Sequence, residues 1–161
     1  VKGLKAMGFE GLYELYAGTV YGFLMFKLND EDLAEDILQD TFLAVYQGIH
    51  TLHTIESPKA WILAIAHNKM VDHLRKKQLV EQSHVIEQLS DVSIEGATNL
   101  FIEEILNQLN DPDRTIVYGL YVEGLSCLEL AQILQIPEGT VKSKAHYARK
   151  RLRKWLREGS T

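Results

Sequence analysis

Apolar residues in this chain recur every three or four positions almost from end to end, with no stretch of strict alternation, and that spacing confines the fold to packed helices. Leu12, Leu15, Tyr16, Val20 and Leu24 form a first stripe, with Gly18 as a soft spot. Asn29 or Asp30 can cap a second helix bearing Leu33, Ile37, Leu38, Phe42, Val45 and Tyr46, and Gly48 is placed to stop it. After a loop over residues 49–56, Ser57 offers an N-cap and Pro58 suits a first helical position. The helix they open carries Trp61, Ile62, Ile65, Met70 and Leu74 and is expected to end near Lys77.

From 78 to 99 the period weakens and serines mix with acids, which predicts a flexible linker between two domains, residues 1–77 and 100–161. Periodicity returns at Leu100, Ile102, Ile105, Leu106 and Leu109, and Asn110-Asp111-Pro112 ends that helix and starts one carrying Ile116, Val117, Leu120 and Tyr121. Gly124 closes it. Ser126 and Glu129 then have the spacing of a capping box, in which each side chain accepts a backbone N–H that the helix leaves unpaired. A short helix with Leu130, Ala131, Ile133 and Leu134 follows, then a turn at Gln135-Ile136-Pro137, then a helix from Glu138 to about Leu156. The expected fold class is all-α: two small helical domains on a flexible linker.

Charge decides which partners such a chain can meet. The net charge of −5 disfavours indiscriminate binding to nucleic acid. Yet Lys142, Lys144, Arg149, Lys150, Arg151, Arg153, Lys154 and Arg157 lie together without an intervening acid, and Lys69, Arg75, Lys76 and Lys77 form a smaller basic cluster. Acids gather instead over residues 30–40 and 81–113. The apolar runs are too short and too charged for a membrane span, no signal peptide is visible, and the single Cys127 fits a reducing compartment as a small buried side chain; a cytoplasmic protein is expected. His50, His53 and Glu56 make only a partial ligand set without cysteine support, so no metal and no cofactor are expected. Neither a phosphate-binding glycine loop nor a catalytic constellation is present, and the chain does not read as an enzyme.

The stretch 126–151 has the layout of a helix-turn-helix, with Ala131 small where the two helices must cross, Ile136 plugging the turn and Val141 facing the first helix. Thr140, Lys142, Ser143, Lys144 and His146 then fall at the end of the second helix that enters a major groove. Lysine can donate to guanine O6 and N7 there, and serine can accept from or donate to several bases. Lys142, Ser143 and Lys144 are the expected base readers, while Arg149, Lys150 and Arg153, farther along, are expected to hold phosphate.

Three ordered motifs carry a family resemblance. The run from Leu125-Ser126-Cys127-Leu128-Glu129 through Ile136-Pro137-Glu138-Gly139-Thr140-Val141-Lys142-Ser143-Lys144 to Ala148-Arg149-Lys150-Arg151-Leu152 resembles the minus-thirty-five recognition domain of extracytoplasmic-function (group four) sigma factors of bacterial RNA polymerase. Asp32-Leu33-Ala34-Glu35-Asp36-Ile37-Leu38-Gln39-Asp40-Thr41-Phe42 resembles that family's polymerase-docking helix, and Pro58-Lys59-Ala60-Trp61-Ile62 through Ala66-His67-Asn68 to Asp72-His73-Leu74-Arg75 resembles its promoter-melting helix. The resemblance implies that Glu35, Asp36, Leu38, Gln39, Asp40 and Phe42 dock on the clamp helices of core RNA polymerase. It also implies that His50, in a loop receiving a flipped base, acts with Trp61, His67, Asn68, Lys69 and Arg75 on minus-ten promoter DNA. Further implied partners are the polymerase flap and an anti-sigma factor. Read from the residues alone, the acids also compensate a helix dipole, and Trp61 reads first as a core anchor that begins its helix, ahead of a base-stacking platform.

The chain departs from the family pattern in the run 63–68, at Gln135 where a turn glycine is usual, and at Tyr147, a further DNA-contact position where arginine is frequent. A free-standing repressor would explain only the last third of the chain. A helical adaptor would leave the helix-turn-helix without a role, and a hydrolase would lack its catalytic constellation.

Overall fold

The computed structural model describes Gly3 and residues 7–81 and 100–159, and every regular element among them is helical. The chain divides into two compact units, Val1–Ser93 and Ile94–Thr161, each with its own core. The all-α fold class and the C-terminal helix-turn-helix are therefore as expected from the sequence.

In the first unit, α1 (Phe9–Leu28) and α3 (Pro58–Glu81) both pack on α2 (Glu31–Gly48), and α1 also touches α3. Leu12, Val20, Leu24, Ile37, Val45, Ile62 and Leu63 are buried between them, each worth about 1.5–3 kcal/mol of transfer free energy. Leu15, expected inside, is 51% exposed, because the inner face of α1 runs through Val20, Phe23, Leu24 and Phe26 instead. The helix crosses Gly18 unbroken. Asp30 is the cap that forms, its carboxylate accepting the Leu33 N–H at 3.0 Å, and Asn29 takes the left-handed C-cap of α1. Residues 49–54 are not loop but a 3-10 helix, Ile49–Thr54, in which the Thr51 hydroxyl donates to the Gly48 carbonyl at 2.7 Å.

Ser57 caps α3 through the Ala60 N–H at 3.2 Å, as its position before Pro58 suggests. The helix runs four residues past the expected end. Nothing between Lys77 and Glu81 is a glycine or proline, so no residue stops it. The rest of the expected linker, 82–99, lies outside the described residues.

In the second unit, α4 (Leu100–Asn107) packs on α5 (Asp113–Tyr121), and α7 (Glu138–Glu158) packs on α5 and α6 (Cys127–Leu134). Ile116, Leu130, Ile133 and Val141 are the most buried aliphatic side chains. Gly124 closes the segment after α5 with a positive φ of 66°. Cys127, expected to be buried, is only partly covered at the start of α6.

Candidate nucleic-acid interface and docking surface

The helix-turn-helix is held open by three local devices. At its start the capping box is complete: the Ser126 hydroxyl accepts the Glu129 N–H at 3.1 Å, and Glu129 accepts the Ser126 N–H at 2.7 Å. At its turn Gln135 takes the left-handed conformation at φ 55°, ψ 43°, the role the sequence would assign to a glycine. Behind it Gly119 lets α5 and α6 meet, since a Cβ there would collide with the Leu130 side chain. The left-handed backbone at Gln135 is signalled by the turn glycine usual at that position, whereas the buried Gly119 carries no signal in local sequence pattern and follows from how closely the helices approach.

These devices fix which face of α7 is bare. Val141, Ala145 and Ala148 are buried, with Leu152 and Trp155 continuing the inner stripe. On the opposite side Ser143, His146, Tyr147 and Lys150 are exposed, Tyr147 at 65%. The His146 and Tyr147 rings meet edge to face at 5.5 Å, making a small apolar surface there. The Ser143 hydroxyl donates to the Gly139 carbonyl at 2.8 Å, which leaves its oxygen lone pairs as acceptors.

The expected basic readers separate. Lys142 is exposed, with its ammonium 2.7 Å from the Glu138 carboxylate, whose hydrogen bond and charge hold the lysine above its ordinary pKa. Lys144 is not on the bare face. It lies on the flank toward α5 with its ammonium 3.4 Å from Asp113, because two residues along a helix turn a side chain by more than half a revolution. Thr140 is partly buried. Arg149 lies 3.4 Å from the Tyr121 hydroxyl, and Lys150 and Arg153 are exposed farther along.

A groove of about 320 Å³ opens between α4, α5 and the second half of α7, floored by Ile105, Leu106, Val117, Leu152 and Leu156, with Arg149 and Arg153 beside it. Three helices build it, so no single stretch of sequence reveals it. Nearby, burial and the Glu123 carboxylate, which accepts the Tyr118 hydroxyl at 3.1 Å, push the Tyr118 phenol far above its ordinary pKa and keep it a donor.

On α2, Glu35, Asp36 and Gln39 are exposed and Leu38 is partly covered. Phe42 is a correction. It is 3% exposed, with its ring 4.8 Å from that of Tyr13 and 6.3 Å from that of Phe9, because it projects toward α1 rather than along the acidic stripe. Leu43 holds the outward position instead, at 57% exposure, seven residues from Asp36 and four from Gln39. An apolar residue at the register of an otherwise polar stripe was the available signal for it. Asp40 is partly covered and accepts from His73 Nε2 at 2.8 Å, tying α2 to α3.

On α3, Trp61, Asn68 and Arg75 recur at sevens and so share a stripe, while His67 and Lys69 diverge to either side of Asn68 and are partly covered. Trp61 rests against the end of α2: a Cβ on Gly48 would stand 3.2 Å from its Cζ2. Its ring is thus an anchor with one side left partly open. Arg75 lies 3.7 Å from Asp72. His50 is exposed in the 3-10 helix before α3. Among the described residues no three of His, Cys, Asp and Glu converge as metal ligands, and no helix is long and apolar enough to cross a membrane.

Comparison with known proteins accounts for both units. The family model for Sigma-70 region 2 matches residues 12–80, and that for Sigma-70, region 4 matches 105–154. The chain is 31% identical to the ECF RNA polymerase sigma factor SigL of Mycobacterium tuberculosis, over 92% of this chain and 89% of that protein. It is also 31% identical to SigM of Bacillus subtilis, over 95% and 98% respectively. Among solved structures, the sigma factor RpoE of Bartonella quintana, in complex with the anti-sigma factor NepR, superimposes with a TM-score of 0.71 at 25% identity, covering 90% of this chain and 94% of that one. The region 2 and region 4 matches fall on the two units that the fold separates, and the 31% identity to SigL and SigM over 92% and 95% of the chain places it in the extracytoplasmic-function, or group four, sigma factors: alternative, non-catalytic subunits that direct RNA polymerase to promoters and initiate transcription.

Proposed function

We propose that residues 1–77 dock on core RNA polymerase and engage the minus-ten element, and that residues 100–161 read the minus-thirty-five element in the major groove. One observation carries the second half: α7 buries Val141, Ala145 and Ala148 and leaves Ser143, His146, Tyr147 and Lys150 bare on the opposite side. Ser143 and Lys142 offer polar contacts to base edges, and the His146–Tyr147 pair offers an apolar face suited to a thymine methyl. Lys150 and Arg153 hold the phosphates on the way out of the groove, with Arg149 beside them. Lys144 supports this face by its link to Asp113 rather than reading from it.

In the N-terminal unit the docking stripe is Glu35, Asp36, Gln39 and Asp40 around Leu43, with Leu38 at its edge; acids surrounding one leucine suit a basic partner with an apolar seam. Trp61, Asn68 and Arg75 form the line along which a melted strand runs, with His67 and Lys69 flanking it and His50 at the turn where a flipped base is received. The groove beside Arg149 and Arg153 takes the flap, its apolar floor receiving a few side chains of that partner. An anti-sigma factor is a further partner, by analogy with RpoE, solved with NepR.

The test is transcription by core polymerase reconstituted with this chain on a randomised promoter library. Enrichment of one upstream and one downstream element is expected. Substituting Ser143→Ala or Tyr147→Ala should alter only the upstream preference, and Asn68→Ala only the downstream one. Failure of the chain to bind core polymerase at all would overturn the reading.

A further inference from the structure

Glu138 opens α7, and no other acid follows until Glu158. Its carboxylate lies 2.7 Å from the Lys142 ammonium, and both side chains are substantially exposed. A carboxylate at a helix N-terminus suits the macrodipole. In a helix that meets DNA end-on it also faces phosphate, which repels it, and it engages the basic side chain nearest the groove entrance. The ammonium has three donors. With one spent on Glu138, the side chain is directed along a single path and its remaining donors can still meet a correctly placed guanine edge. Reaching a phosphate at an arbitrary position requires the lysine to swing, and swinging breaks the pair.

We propose that Glu138 is a selectivity residue: it restrains Lys142 so that the lysine contributes to binding at the matching sequence and is withheld from phosphate elsewhere. The inference rests on the reading of α7 as the groove-entering helix. It concerns a positioning residue, acting on DNA through Lys142.

The experiment uses the full chain, wild type and with E138Q, K142A or both. Each is titrated against two duplexes: an upstream element enriched from the library by wild-type holoenzyme, and a scrambled duplex of the same length and composition, at several salt concentrations. E138Q is expected to tighten binding to the scrambled duplex about eightfold near 0.1 M salt and to steepen its logarithmic salt dependence by about one counter-ion. The enriched duplex should gain less, so that discrimination falls. In the K142A background, E138Q should leave the salt slope unaltered. An unchanged slope and discrimination in E138Q would overturn the proposal, as would an equal gain in the K142A background, which would mean general charge repulsion. No enriched upstream element at all would overturn the reading of α7 itself, and the proposal with it.

Discussion

Lys142 and Lys144 stand two residues apart in one basic run, yet the first reaches into the open beside Glu138 and the second is drawn to Asp113. Sequence placed both in the opening turns of the recognition helix. It could not tell them apart, because the partner of Lys144 sits thirty-one residues away on another helix. Lys144→Ala should therefore leave the preferred upstream bases unchanged and cost about 0.2–1 kcal/mol of stability, as a partly exposed ion pair does; a library selection and a urea titration check the two halves. A shifted base preference would return Lys144 to the reading face. Gln135, standing where a turn glycine is usual, does take the left-handed backbone that such a glycine serves. Since its φ of 55° suits glycine, Gln135→Gly should raise stability by about 0.5–1 kcal/mol, net of the larger entropy glycine loses on folding. A lower thermal midpoint for that variant would show that contacts of the glutamine side chain outweigh the strain.

Helix starts were more legible than helix ends. Asp30, Ser57 and Ser126 each cap the helix that their side-chain chemistry announces, because a cap is a contact between residues three apart. The end of α3 departed from expectation, and so did the docking role that the resemblance gave Phe42, although the apolar period already set Phe42 on the face of Ile37 and Val45. The exchange of Phe42 for Leu43 gives the docking helix a sharp test. Leu43→Ala combined with Asp36→Lys should weaken binding to core polymerase by tenfold or more while the helical content stays intact. Phe42→Ala should instead cost about 3–5 kcal/mol of stability, as deletion of a buried ring does. Circular dichroism and a polymerase titration separate the two effects. Between α5 and α6, Gly119→Ala places a methyl against Leu130 and should destabilise the C-terminal unit by about 1–3 kcal/mol despite alanine's better helix propensity, measurable by denaturant titration.

Across the whole molecule the net charge of −5 belongs entirely to the N-terminal unit; residues 94–161 carry nine basic and nine acidic side chains and are neutral. On the proposed reading of α7, affinity for DNA then rests on where the C-terminal charges sit and not on their sum. Lys150→Ala and Arg153→Ala should each lower the salt slope of binding by about one unit, with equal losses on matching and scrambled duplexes. Unequal losses would make either residue a base reader. The twenty-one residues of α7 also have a length: at about 1.5 Å per residue the helix spans roughly 31 Å, well over twice the width of a major groove of about 12 Å. Seated in such a groove as proposed, only its first turns would fit among the bases. The same rod carries Leu152 and Leu156 into the groove on its far half, and Ser143 to Leu156 measures about 20 Å along the axis. A protein seated on that far half is thereby held at a set distance from the base pairs, and the helix serves as a ruler whose graduation is the rise of a single residue.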